Sequence, residues 1–321
     1  PAAGRSLEEE RKMSILLALQ GVVSQGILWG VMVLGVYITY QPLDIADLTA
    51  DGSFALGGCV CAVMVVGGHD PIVAILAATA AGIIAGAVTG FLHTVFEIPA
   101  ILAGILTQIA LWSINLRIMG KSNTPLLKLP TIFNNFVEMT GVRQSTASTI
   151  IGIIIACFII ILLYWFFGTE LGSALRATGN NENMIRALGV NTKKMKMIAL
   201  MLSNGLIGLS GGLICQSQKY ADIGMGTGAI VIGLASIVIG EVLGRLTPGK
   251  LRSFSSRLIS AVVGSVVYFL IRAVVLQMGM DANDMKLLSA IIVAIALCIP
   301  VTWEKYQLRK SYSAGGDGSC S

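Results

Sequence analysis

The sequence predicts an all-α, polytopic helical membrane protein with about eight transmembrane helices and one further re-entrant or broken helix. Three observations carry that prediction. The 321 residues are 55% hydrophobic and only 12% charged, with a mean hydropathy of +0.81; an ordinary soluble domain carries about twice that charged share. The apolar residues come in repeated blocks of about 20, the length that spans a hydrocarbon core as helix. The blocks are continuous, which suits helices, whereas barrel strands alternate lipid-facing and lumen-facing residues.

Residues 1–12 are polar and lack the apolar core of a signal peptide. They read as an N-terminal cytoplasmic segment, with Met13 as a candidate start. Spanning blocks follow at 13–36, 71–92, 98–119, 147–167, 197–216, 228–243, 257–277 and 286–303, and a shorter apolar block lies at 53–67. Residues 13–305 therefore form one transmembrane domain, and the Gly/Ser-rich stretch 306–321 is expected to be a disordered tail.

Orientation follows from Lys and Arg, which favour cytoplasmic loops. The polar island at 168–197 has five basic residues (Arg176, Arg186, Lys193, Lys194, Lys196) against two acidic ones, Glu170 and Glu182. Arg11 and Lys12, the group Arg245, Lys250, Arg252 and Arg257, and the end with Lys305, Arg309 and Lys310 should share its side. Both termini are then cytoplasmic. The scheme is consistent only if block 53–67 does not cross: residues 37–52 dip in and 53–67 returns to the same side. Lys121, Lys128 and Arg143 in the outer loop 120–146 dissent and are overruled, because that loop is long and only weakly amphipathic.

The island reads as a structured element. Asn180 and Asn181 can cap a short helix, Glu182 sits in its first turn where the helix dipole favours negative charge, and Gly189 supplies a stop. A helix docked outside the bilayer is something a partner protein can hold and push.

Within the spans, polar residues are the functional candidates, since burying them in lipid is expensive. Gln20, Ser24, Gln25 and Trp29 lie in the first span, Gln108 in the third, and Ser203 and Asn204 in the fifth. Each is either interhelical glue or pathway lining. Asp51, in LDIADLTADGS with Asp44 and Asp47, can cap the re-entrant helix, with Gly52 allowing a sharp turn. Glycines recur at close-packing spacing: Gly26/Gly30, Gly82/Gly86/Gly90, Gly208/Gly212 and Gly240/Gly244. A weak echo links Asp47-Leu-x3-Gly52-x3-Leu56-Gly57 to Asp222-Ile-x4-Gly228-x3-Ile232-Gly233. It is either chance or a repeat whose broken helices mark a substrate route.

Several chemistries are disfavoured. Residues 244–250, GRLTPGK, match most of a phosphate-binding loop, but Leu251 replaces the magnesium-binding hydroxyl and a membrane helix precedes it. The six cysteines form no framework, and Cys59-x-Cys61 has no accompanying His or carboxylate. No metal site, no catalytic constellation around His69 or His93, and no nucleic-acid surface is expected.

The run LGSALRATGNNENMIRALGVNTKKMKMIALMLSNGLIGLSGGLICQSQ resembles the cytoplasmic loop and following helix of permeases from bacterial ABC importers, in the branch of the branched-chain amino acid and ribose permeases. Their pattern is L-G-x-x-x-R-A-x-G-x-N, then G-V/I-N, then S-N/G-x-L-A-G-L-x-G. IADLTADGSFALGG is similar to their D-L-S-x-G-x-x-x-L-G segment, and the likeness spans roughly residues 20–305. DLTxDGSF, HTVFEIPAILAGILT, LWSINLRIMG and YADIGMGTGAIVIGLASIVIGE look most like permeases for tryptophan or tyrosine. The resemblance implies a bacterial inner-membrane subunit that forms a homodimer with a second permease copy, with the small-molecule path between the two. It implies two cytoplasmic ABC ATPase subunits that hold ATP and Mg, no cofactor in this chain, and an extracytoplasmic substrate-binding protein. Residues 180–189 would be the coupling helix, with Arg176, Asn181, Glu182 and Arg186 at the ATPase surface. Alternatives are a nucleoside or sugar permease of the same kind and a stand-alone ion-coupled transporter. Glu97 and Glu241, both near span ends, serve the latter poorly.

Overall fold

A computed structural model describes residues 2–245 and 254–277, with isolated positions between 287 and 298. Those isolated positions apart, the expected span 286–303, the tail 306–321 and most of the turn 244–250 lie outside the described residues. The elements are α1 (Ala2–Leu43), α2 (Thr49–Val66), α3 (Pro71–Thr94), α4 (Ala100–Met119), β1 (Asn123–Pro125), α5 (Ile132–Thr140), α6 (Gln144–Gly168), α7 (Glu170–Asn180), α8 (Glu182–Ala187), α9 (Thr192–Gln218), β2 (Tyr220–Asp222), a 3-10 turn (Ile223–Gly226), α10 (Ala229–Arg245) and α11 (Phe254–Gln277). Among the described residues, eight helical segments are long and apolar enough to cross a membrane: Leu19–Leu43 of α1, then α2, α3, α4, α6, α9, Ile223–Gly244 and α11.

Two faces of the bundle are fixed by contacts at the helix ends. At one, Gly179 of α7 sits on the carbonyl of Pro42, Tyr37 meets Phe254 edge-on at 6.1 Å, and Glu97 pairs with Lys193 at 2.7 Å. At the other, Gln20 Nε2 donates to Thr146 Oγ1 at 2.9 Å, and β1 pairs antiparallel with β2. The chain therefore crosses the bundle five times between Leu19 and the island, through α1, α2, α3, α4 and α6.

This corrects the reading of block 53–67. It does not return to its starting face. Residues 44–48 run back from the α7–α8 face to the depth of Asn204, where Asp47 accepts from Asn204 Nδ2 at 2.6 Å. Helix α2 then completes the crossing, and Cys61 at its far end meets Gln216 at the end of α9. The missing part of this span is polar (Asp44, Asp47, Thr49, Asp51) and its Asp47, Thr49 and Asp51 bond to protein instead of facing lipid. A hydropathy pattern cannot register it. One crossing more also brings the chain into Leu19 from the face opposite the island, where the charges of Arg11 and Lys12 suggested the same face.

The echo between Asp47 and Asp222 has a structural counterpart. Each aspartate accepts the backbone N–H two residues on, Thr49 at 3.0 Å and Gly224 at 2.7 Å. Asp47 precedes α2, and Asp222 caps the 3-10 turn Ile223–Gly226 that leads into α10. α2 runs from mid-depth to the hairpin face, and α10 runs from mid-depth to the α7–α8 face. The two starts touch, with Gly226 on the backbone of Asp51. The result is a pair of discontinuous segments of opposite direction.

Close packing explains the glycines. A Cβ on Gly57 would fall on the carbonyl of Gly208, one on Gly82 on the carbonyl of Asn204, and one on Gly26 2.8 Å from Val266 Cα. Serines tie the same seams: Ser203, Ser210 and Ser265 donate to the carbonyls of Gly35, Leu28 and Gly26 at 2.8, 2.9 and 2.8 Å. Each glycine repeat thus serves packing within this chain. Helices α1, α2 and α9 form the core, while α4, α6 and α11 are mostly uncovered.

Candidate functional site

The island folds as two short helices. Thr169 caps α7, accepting from Gly172 N at 3.3 Å, and Leu175 anchors it in the core. Arg176 donates to the Phe167 carbonyl at 2.9 Å and lies over the Phe254 ring at 5.4 Å. Asn180 ends α7 on the surface. The cap of α8 is Asn181, which accepts from Met184 N at 3.0 Å, and Gly189 makes the following turn at φ +88°, a conformation that favours glycine.

Glu182 binds α8 to α9. Its Oε1 accepts from Arg186 and from Thr192 Oγ1, both at 3.0 Å, and its Oε2 accepts from Lys196 at 2.6 Å. Lys196 above all, with Thr192 and Arg186, holds the Glu182 carboxyl below its ordinary range, against a smaller opposing effect of burial. A depressed carboxylate contributes stability above its unfolded pKa of about 4.3 and loses it as pH falls through the native value. Amide-exchange protection over residues 182–196, corrected for intrinsic rates, should hold from neutral pH to about 5 and drop below about 4. Unchanged protection at pH 3 would contradict this role of Glu182. Ile185 is buried, whereas Met184, Leu188 and Arg186 point outward. The island thus presents an apolar pair edged with charge.

The second polar centre lies at mid-depth, where α2 and α10 begin. Asp51 accepts from Gly228 N at 2.8 Å and Ile230 N at 2.9 Å, capping α10 from another helix. Asn204 donates to Asp47 and to the Leu200 carbonyl, and accepts from Ser53 Oγ at 2.7 Å. Thr49 and Thr89 hydroxyls lie 2.7 Å apart. Beside Asp51, a notch of about 30 Å³ is lined by Gln108, Trp112, Asn115 and Thr227.

Of the residues singled out in the spans, Asp51 and Gln108 meet at this notch, and Asn204 lies one helix away through Asp47 and Ser53. The others lie elsewhere. Gln20 and Ser24 occupy the first turns of the α1 span, Gln25 is half-buried there, and Ser203 serves the α1–α9 seam. Trp29 stacks in the core on Phe54 and Phe269 at 4.7 and 5.5 Å. Ser53, Thr89 and Asn115 were not singled out. Their signal was that of any buried polar residue in an apolar run. Among the described residues no three His, Cys, Asp or Glu side chains gather as a metal site.

The eight apolar crossings among the described residues, two of them broken at mid-depth around polar side chains, define a multi-pass membrane protein of the transport class. The family model described as the branched-chain amino acid transport system permease component matches residues 18–297. The chain belongs to that family of ABC permeases and is a transport subunit. It is 41% identical over 272 residues to the tyrosine transport system permease protein of Clostridioides difficile, covering 85% of this chain and 88% of that one. An uncharacterized Rickettsia prowazekii protein, RP368, is 32% identical over 89% of this chain and 97% of its own length. The ribose import permease protein RbsC of Escherichia coli is 25% identical over 79% of this chain and 76% of its own. No solved structure matches.

Proposed function

We propose that this chain is the membrane half of an ATP-driven importer that carries an amino acid, aromatic by preference, into the cytoplasm. The observation that carries the reading is the construction of the island. Asn181 and Glu182 hold α8 rigidly to α9, Gly179 rests on the end of α1, and Met184, Leu188 and Arg186 are left facing outward. A partner that moves α8 therefore moves two core helices. The α7–α8 face carries Arg176, Arg186, Lys193, Lys194 and Lys196 and is the cytoplasmic one. The partner is an ABC ATPase that holds ATP and Mg; this chain contributes the lever.

A second copy of the chain completes the path against the uncovered helices, and a substrate-binding protein delivers solute at the hairpin face. The 41% identity to a tyrosine permease favours an amino acid over a sugar, for which the ribose relative stands at 25%.

The test is a pull-down from native membranes with this chain as bait, followed by an ATPase assay of the eluate. A separate nucleotide-binding subunit is expected, and the double substitution Glu182→Ala, Arg186→Ala should reduce its recovery at least tenfold. Repeated recovery of the chain alone would contradict the proposal.

A further inference from the structure

We propose that the notch beside Asp51 is the subsite that receives the ammonium group of the transported solute. The inference rests on the reading of the chain as an amino acid permease.

The notch lies at mid-depth, where α2 and α10 start, and α4, the least covered of the spans, forms one wall of it. At the notch, α4 contributes Gln108, Trp112 and Asn115. Gln108 is half-buried and Trp112 is 52% exposed, at the edge of an outer face that is largely apolar (Leu106, Ile109, Leu116).

The chemistry of the lining selects a donor. Asn115 is 1% exposed, and its Oδ1 accepts no hydrogen bond from the protein. Its Nδ2 reaches the Gly52 carbonyl only at 3.5 Å. The Asp51 carboxylate accepts the amides that open α10, from Gly228 and Ile230, at the edge of the notch. A helix N-terminus at mid-depth ordinarily attracts a carboxylate. Here Asp51 already occupies that position, so a second anion is repelled and a donor-bearing cation is attracted. The indole of Trp112 adds a face of the kind that attracts ammonium.

Size points the same way. About 30 Å³ is enough to admit a small group such as –NH3+. The rest of the solute would lie outside the notch, along α4.

The experiment uses the whole transporter, with its ATPase and binding protein, reconstituted in liposomes and supplied with labelled L-tyrosine. Asn115→Leu keeps the branching and heavy-atom count, is somewhat bulkier, and removes the acceptor. It should lower the uptake rate about tenfold at saturating binding protein, with thermal stability unchanged or raised. Asn115→Asp, which keeps an acceptor, should retain at least half the rate. Gln108→Leu, at the half-buried mouth, should lower uptake several-fold and serves should Asn115→Leu fail to fold. Uptake by Asn115→Leu equal to wild type would overturn the proposal and leave a notch that holds water only. Equal losses in Asn115→Leu and Asn115→Asp would also overturn it, as the mark of a packing role. Failure of the wild-type complex to move any amino acid would instead overturn the functional reading on which the notch depends.

Discussion

Asp51→Ala is expected to prevent recovery of a folded subunit, not merely to slow transport. The carboxylate is the N-cap of a helix to which it does not belong. It accepts from Gly228 and Ile230 at 2.8 and 2.9 Å, in the interior of the bundle. Removing it leaves two amides without an acceptor, at about 1–3 kcal/mol each, and removes the anion that offsets the positive end of α10. The sum, about 4 kcal/mol, is a large share of the 5–15 kcal/mol that holds a typical domain together. Asp51→Asn retains an acceptor and loses the charge, so its effect should be intermediate. The check is thermal unfolding in detergent followed by size-exclusion chromatography. An Asp51→Ala protein that melts with the wild type would show that α10 does not depend on this cap.

The second large effect is expected at the seam between α2 and α9. A methyl group on Gly57 would fall on the Gly208 carbonyl, and one on Gly211 would fall on the Phe54 carbonyl. On the other side of α9, Gly208 comes within 2.7 Å of the Ala78 carbonyl by the same construction. The obstacle at each site is backbone, so no rotamer change relieves it. Overpacking of a flexible core costs about 1–3 kcal/mol, and a backbone clash belongs at or above the top of that range. Gly57→Ala should therefore lower the melting temperature by several degrees and Gly57→Val should abolish the monodisperse peak. Gly21→Ala, which meets nothing within 4 Å, is the control and should behave as wild type. Equal behaviour of Gly57→Ala and Gly21→Ala would contradict the seam.

Much of this was legible in the sequence, for reasons particular elements make plain. The long apolar runs that became α3, α4, α6 and α11 announce themselves, because lipid-facing helices must be apolar on most sides. The island was legible from Asn181, Glu182 and Gly189, whose capping and turn roles depend only on neighbours along the chain. The direction of α2 was not legible. Its first half is polar, and only the three-dimensional neighbours (Asn204, Thr89 and the start of α10) make that polarity compatible with the membrane. Gln20, Ser203 and Trp29 show the opposite limit. A polar or aromatic residue in a span looks the same in sequence whether it ties two helices or faces a path.

The account turns on one claim, that movement of solute through this chain is driven by ATP hydrolysed on a partner bound at α8. The most direct measurement is uptake of labelled tyrosine into liposomes bearing the complex with its binding protein, with ATP supplied on the ATPase side and ion gradients collapsed. Uptake that requires ATP and is lost with the Glu182→Ala, Arg186→Ala double substitution is the predicted result. Uptake that persists without ATP and follows an imposed ion gradient would contradict it.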